Sequence, residues 1–342
     1  MYQWLRNGLF LLPPETAHDI ALNALSAGRL VGLPRLLAGC PPTVPVEVLG
    51  LSFANPVGLA AGLDKNGDYI DALGQLGFGF VEVGTVTPQP QPGNPKPRLF
   101  RLPEHQALIN RLGFNNKGVD HLVERLQQRR FEGIVGANIG KQKDTPVDKA
   151  VDDYRYCLER VFPYCDYITV NISSPNTADL RDLQNTGPLT ELLAELTGLR
   201  DRLVDEHDVR RPLLIKIAPD WEPGGLEATL EVVADSGIDG LIATNTTLDR
   251  SAVADHRHAG EAGGLSGAPV KAAADHALAV ARTVLGPDFP LIGLGGITSG
   301  QDAADKRRAG ADLVQIYTGF IYRGPTLIAE CLRAWDAPDE AG

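Results

Sequence analysis

The sequence predicts an α/β fold, a closed (β/α)8 or TIM barrel carrying an N-terminal two-helix extension, on three observations. Eight short runs rich in Val, Ile and Leu recur from residue 54 onwards, each run ends in a polar or Gly turn, and the turns lead into stretches with helical spacing. Runs that are apolar on both faces suit a parallel sheet covered on both sides, and eight repeats suit closure into a barrel. A doubly wound open sheet is the alternative topology.

In chain order, residues 1–38 read as two short helices broken at Pro13 and Pro14. The first carries Trp4, Leu5, Leu9, Phe10 and Leu12; the second runs from a Thr16 cap through Ile20, Ala21, Ala24 and Leu25. Over residues 1–50 three arginines (Arg6, Arg29, Arg35) balance three acids (Glu15, Asp19, Glu47), so the front end is neutral while the rest carries the net charge of -11. A neutral, bulky helix pair can dock on the barrel, cap its bottom or dip into a membrane surface, and docking on the barrel is the expectation. The chain therefore divides into an extension, 1–38, and a barrel, 39–342.

The strand-like runs are 56–62, 80–86, 134–140, 167–172, 213–218, 240–244, 291–295 and 313–317, with clear helical patterns at 120–130, 189–206 and 271–285. Two connections, 87–116 and 247–268, are too long and too polar for simple turns. Long loops at one end of a barrel commonly serve its site.

Composition removes several function classes. A net charge of -11 without a basic run repels phosphate backbones, so nucleic acid is not an expected partner. Cys40, Cys157, Cys165 and Cys331 have neither zinc-site spacing nor the density of a disulfide scaffold, which suits a reducing cytoplasm and no metal. Arg6 and the Pro13 and Pro14 pair interrupt the apolar N-terminus, which reads as neither signal peptide nor membrane span.

In such a barrel the chemistry gathers just past the strand ends. Those positions hold Lys65, Thr85, Asn138, Asn171, Ser174, Lys216, Thr244, Asn245, Thr246 and Thr318, with almost no carboxylate among them, so a planar, polar, anionic ligand is expected. Gly295 and Gly296 before Ser299, with Tyr317, Thr318 and Gly319 one strand later, offer backbone N–H groups and a helix start to a phosphate; taken singly, either glycine pair also reads as a tight turn. Lys216 in "LLIKIAP" stands in an otherwise apolar strand, where an ammonium needs an anion, a Schiff base or an ion pair.

Eight motifs occur in order: "AAGLDKNG" (60–67), "FRLPEHQALINRLGFNNKG" (100–118), "NISSPNT" (171–177), "KIAPD" (216–220), "NTT" (245–247), "GGLSG" (263–267), "GLGGI" (293–297) and "QIYTGFIYRGP" (315–325). In this register the chain closely resembles the dihydroorotate dehydrogenases of the membrane-associated, quinone-using class over nearly its whole length. The resemblance implies FMN at the C-terminal end of the barrel, touching Ala61, Lys65, Thr85, Asn138, Asn171, Lys216, Thr244, Gly267, Gly296, Tyr317 and Thr318. It implies dihydroorotate and orotate held by Lys65, Asn110, Arg111, Leu112, Gly113, Phe114, Asn171, Asn176, Asn245 and Thr246.

By the same resemblance Ser174 removes the C5 proton while hydride leaves C6 for flavin N5, in a step of pyrimidine biosynthesis. Thr177 and a water beside Phe114 would relay the proton. In the soluble class a cysteine stands at the base position, so serine marks the class. Quinone-using members carry the helix pair as an apolar tunnel ending at a His and an Arg, matched here by His18 and Arg101 beside Tyr317. A monomer bound peripherally to the cytoplasmic side of the cell membrane is implied. Ala178 and Asp179 depart from the Pro and Gly that relatives often carry there. Two other functions fit the residues alone: a Schiff-base lyase using Lys216, and a non-catalytic barrel docking on membranes.

Overall fold

The computed structural model describes residues 2–39 and 41–337. Cys40 lies outside them, and Cys157, Cys165 and Cys331 are free and buried. Eight parallel strands close into a barrel: β1 (Val57–Leu59), β2 (Phe80–Val86), β3 (Ile134–Ile139), β4 (Tyr167–Asn171), β5 (Leu213–Ile217), β6 (Gly240–Ala243), β7 (Leu291–Leu294) and β8 (Leu313–Ile316), with β8 pairing back to β1. Each of the eight predicted runs is one of these strands. They are buried along nearly their whole length because helices cover the outside, which is why they read as continuous apolar runs. The predicted helices are seen at Val119–Gln128, Thr186–His207 and Lys271–Leu285.

The bottom of the barrel is closed by an antiparallel hairpin, Val46–Val48 with Leu51–Phe53, and not by the N-terminal helices. Phe53 meets Phe80 edge to face at 5.2 Å in a cluster with Tyr167, Leu214, Ile242, Ile292 and Leu313. Room for these rings comes from glycine: a Cβ at Gly136 would sit 2.1 Å from the Tyr167 ring.

The extension forms α1 (Tyr2–Phe10), α2 (Pro14–Gly28) and an unforeseen third helix, α3 (Leu33–Ala38). Thr16 is not a cap. Pro14, whose fixed φ and missing donor suit a first helical position, opens α2, and Thr16 lies within it without a capping bond. The helices dock beside the open end of the barrel. Tyr2 Oη donates to Ile321 O at 2.7 Å, Arg6 Nη1 donates to Tyr322 O at 3.0 Å, Arg98 bonds Glu15 at 2.9 Å, and Arg29 pairs with Asp71.

The two long connections are not simple loops. Leu99–Leu102 and Ala107–Asn110 form a hairpin, and Gly264–Gly267 from the second connection adds to it as a third antiparallel strand. This small sheet stands beside the barrel mouth and supplies part of the site wall.

Candidate active site

Every barrel strand except β3 sends residues into one cavity at the C-terminal end, which encloses about 1010 Å³ with its open mouth included. Ala61 and Lys65 follow β1, Thr85 lies next to the end of β2, Asn171, Ser174 and Asn176 come from the end of β4 and the loop after it, and Lys216 lies in β5. Thr244, Asn245 and Thr246 come after β6, Gly296 after β7, and Tyr317 and Thr318 after β8. The three-stranded sheet and its approach add Asn110, Leu112, Gly113, Phe114 and Gly267. Parallel pairing forces this convergence, because strands in register end at one level: Asn171 stands beside Lys216, and Lys216 beside Ile242.

Five predicted residues do not line the cavity. Asn138 is fully buried one layer deeper, where it accepts from Thr85 Oγ1 and from Asn171 Nδ2 at 3.2 Å and donates to Glu82 at 2.7 Å. Arg111 turns outward, pairs with Glu261 at 2.7 Å and stacks over Phe100 at 4.7 Å. Thr177 is buried in the loop after Asn176. His18 sits on α2, and Arg101 lies 4.4 Å over the Phe10 ring while donating to Phe10 O at 3.2 Å and Leu12 O at 2.9 Å. Arg101 therefore pins the turn between α1 and α2.

One hydrogen-bonded net holds the floor. Glu82, buried inside the barrel, accepts from Asn138, from Tyr167 Oη at 2.9 Å and from Gln315 Nε2 at 2.8 Å. Asn171 Nδ2 donates to Thr85 Oγ1 at 2.9 Å, and Asn171 Oδ1 accepts from Ser173 Oγ at 3.1 Å. Asn245 Nδ2 completes the rim by donating to Ser173 Oγ at 3.0 Å. Ser174 is buried, and its Oγ accepts from Asn176 N at 3.2 Å. Each bond fixes a rotamer, so the groups facing the cavity are preorganised. The wall at Phe114 is held in the same way. Phe114 has φ +50, unusual for a bulky residue, and its carbonyl accepts from Gln91 Nε2 at 3.0 Å and Asn116 Nδ2 at 2.7 Å.

Several polar groups lining or bordering the cavity have no partner among the described residues. Asn176 Oδ1, Thr246 Oγ1 and Gln315 Oε1 are buried without a hydrogen bond. Among the described residues nothing bonds the ammonium of Lys216, whose pKa burial lowers while the charge of Glu82 partly opposes that. Such groups are costly unless a ligand meets them. Lys65 donates to Gly62 O at 3.0 Å, and burial, with the nearby Arg98 charge, brings its pKa down to about 8. Burial first and the Lys65 charge second bring His18 down to about 4, so its imidazole is neutral at physiological pH.

The glycine loops leave no room for side chains. A Cβ on Gly296, at φ +79, would fall 2.4 Å from Lys271 Cα, and one on Gly319 would fall 2.0 Å from Ile297 O. Thr318 and Gly319 begin a helical turn, so their N–H groups have no intrahelical acceptor. Amide side chains, two lysines and the N–H groups that open this turn together suit an anionic ligand rich in hydrogen-bonding groups.

Three residues were missed from sequence. Ser266 lines the wall and shares a hydrogen bond with Thr318 Oγ1 at 2.8 Å. Glu82 and Gln315 are polar residues in apolar strands, the same signal that singled out Lys216.

A family model described as dihydroorotate dehydrogenase matches residues 43–335. "Dihydroorotate dehydrogenase (quinone)" of Azotobacter vinelandii is 56% identical over 334 residues, 98% of this chain and 96% of that protein. The protein of the same name from Marinomonas sp. is 56% identical over 337 residues, 98% of this chain and 97% of its own. Among solved structures, DHODH from Eimeria tenella in complex with ferulenol is similar with a TM-score of 0.85 and 37% identity, covering 94% of this chain and 90% of that one.

Proposed function

The chain belongs to the dihydroorotate dehydrogenase family, and from that premise we propose which residues perform each part of the reaction and how the extension meets the quinone. The protein oxidises dihydroorotate to orotate in pyrimidine biosynthesis and uses quinone as the electron acceptor. The lyase and the non-catalytic barrel give way to this activity. The flavin is FMN. The observation that carries this reading is the set of partnerless groups around one cavity, Lys216 and the side-chain oxygens of Asn176, Thr246 and Gln315, next to glycines whose positions admit no side chain.

Bound there, FMN supplies the acceptor for the hydride that leaves C6 of the substrate. Gly296, Thr318 and Gly319 present N–H groups to its phosphate, while Ala61, Thr85, Asn171, Thr244, Gly267 and Tyr317 form the seat of the ring system and Asn138 holds that seat from below. Lys216 places positive charge where electrons arrive. Lys65 takes the substrate carboxylate, and Asn110, Leu112, Gly113, Asn171, Asn176, Asn245 and Thr246 surround its ring, with the unpartnered Asn176 Oδ1 and Thr246 Oγ1 open to ring amides and carbonyls. Arg111 acts only through its backbone, because its side chain pairs with Glu261.

Ser174 accepts the C5 proton. A serine hydroxyl is a weak base, so the proton must move on as it arrives, through Thr177 and a water beside Phe114. Lys65 gives the reaction its alkaline limb: kcat/KM for dihydroorotate is expected to fall as pH rises through about 8, because the cation that binds the carboxylate is lost above that pKa. A steady-state pH profile checks it, with Lys65→Arg expected to move the limb upward; an unmoved limb would remove Lys65 from the carboxylate site.

The extension, residues 1–38, is the route from the membrane to the flavin. Eight of the eleven large apolar side chains exposed among the described residues lie in it, Trp4, Leu5, Leu11, Leu12, Ile20, Leu30, Val31 and Leu36. No helix among the described residues is long and apolar enough to cross a membrane; these exposed side chains would meet the membrane peripherally, on the cytoplasmic side. The quinone ring lies near His18, Arg101 and Tyr317. The triple change Trp4→Glu, Leu11→Glu and Leu36→Glu is expected to lower partitioning into anionic vesicles by at least about 10-fold while sparing flavin reduction by dihydroorotate. Vesicle co-sedimentation measures the first and anaerobic bleaching the second; unchanged partitioning would move the membrane contact elsewhere.

A further inference from the structure

Behind the wall that carries Ser174, one guanidinium fastens three loops together. Arg181 donates from Nε to Ser173 O at 3.0 Å, from Nη2 to Thr246 O at 2.8 Å and from Nη1 to Asp220 Oδ2 at 2.8 Å. Asp220 also accepts from Thr247 Oγ1 and from Leu248 N at 2.9 Å. The loops so joined follow β4, β5 and β6. They carry the proposed base, Ser174, and the substrate residues Asn176, Asn245 and Thr246.

The geometry points to Arg181 as the positioning residue that sets the base against the substrate. It lines no part of the cavity and touches neither reacting atom, so its effect passes through the two carbonyls it holds. Ser173 O belongs to the peptide that leads into Ser174, and Thr246 O to a substrate residue of the loop after β6. A guanidinium is a planar fork with fixed donor directions, so holding both carbonyls at once fixes the spacing between the two loops. An ammonium cannot reproduce that geometry. The opposing carboxylate of Asp220 keeps the fork from turning, and the ion pair is only partly exposed, with side-chain exposures of 19% and 28%.

Arg181 lies on the same connection as the base it positions, the one that follows β4. It sits in the short helical turn Leu180–Gln184 at the end of the loop that begins at Asn176, where Asp179 takes the left-handed conformation at φ +56. Asp tolerates that conformation better than most residues, so Ala178 and Asp179 can shape the turn without glycine. From this turn Arg181 reaches both carbonyls, so the seat of the turn and the spacing of the two loops depend on the same side chain.

The inference rests on Ser174 as the base, and its test uses Arg181→Lys and Asp220→Asn in the flavin-loaded enzyme, with Ser174→Ala alongside. Flavin reduction is followed by rapid anaerobic mixing with dihydroorotate and with dihydroorotate deuterated at C5. Arg181→Lys is expected to keep its flavin and its unfolding temperature. Its limiting rate should fall by about 10- to 100-fold, with a larger C5 isotope effect, because a displaced base makes proton removal more limiting. Asp220→Asn, which leaves both carbonyl bonds in place, should fall less in the same direction. Reoxidation by quinone should not change.

A limiting rate within about twofold of the parent overturns the proposal. So does a rate loss that follows flavin loss with an unchanged isotope effect, the pattern of a residue that merely staples the fold. Should Arg181→Lys fail to fold, Asp220→Asn decides by the same two readouts. If Ser174→Ala is slow while Arg181→Lys is not, the clamp fails and the base stands; if Ser174→Ala reduces flavin normally, the base fails and the clamp with it.

Discussion

Ser174→Ala is expected to slow flavin reduction by dihydroorotate by about 100- to 10,000-fold, the range for loss of a positioned general base. Flavin binding should survive, because the Ser174 hydroxyl accepts only from Asn176 N, while the net that shapes the ring seat runs through Asn171, Thr85 and Asn138. Dihydroorotate should still bind for the same reason. Stopped-flow bleaching of the flavin separates the two effects. A variant that kept near-normal bleaching would place the base elsewhere; one that lost flavin would show Ser174 to be structural.

Lys216→Met should have an effect of similar size through a different cause. The Lys216 side chain is buried and has no hydrogen-bonding partner among the described residues; burial lowers its pKa, and the charge of Glu82 partly opposes that. Its purpose is therefore met only when a ligand gathers negative charge beside it. Replacing it by an apolar side chain of similar length is expected to slow flavin reduction by about 100- to 1,000-fold, as removal of a preorganised charge stabiliser does. The flavin-free form should unfold at the same or a higher temperature, because an uncompensated buried charge has gone. Unchanged reduction kinetics would contradict the assigned role, and so would a marked loss of stability in the flavin-free form.

The barrel could be read from sequence because its strands are buried on both faces: runs such as "LLIKI" and "LIGL" are apolar throughout, with a lone polar residue standing out. The hairpin below the barrel carries alternation, Val46 and Val48 against Leu51 and Phe53, but its turn residues are Leu49 and Gly50, both at positive φ. A leucine there lacks the Asn or Asp signature of such a turn, so the hairpin stayed hidden. The three-stranded sheet at the mouth was hidden because its strands are four residues long and include Arg101, Asn110 and Ser266 within polar stretches.

At the site, residues at the strand ends could be anticipated because parallel strands in register end together. What sequence could not give was direction. Arg111 lies in the right loop, yet its guanidinium leaves for Glu261 and Phe100, and Asn138 ends its strand one layer below the cavity. Arg181 carried no signal at all, since its role arises only where three loops meet.

The most direct test is anaerobic titration of the purified, flavin-loaded protein, first with dihydroorotate and then with quinone. The yellow absorbance is expected to bleach at one equivalent of dihydroorotate, orotate to appear in equal amount, and quinone to restore the colour. A protein that bleaches with dithionite but not with dihydroorotate, or that stays reduced when quinone is added, would contradict the assigned activity.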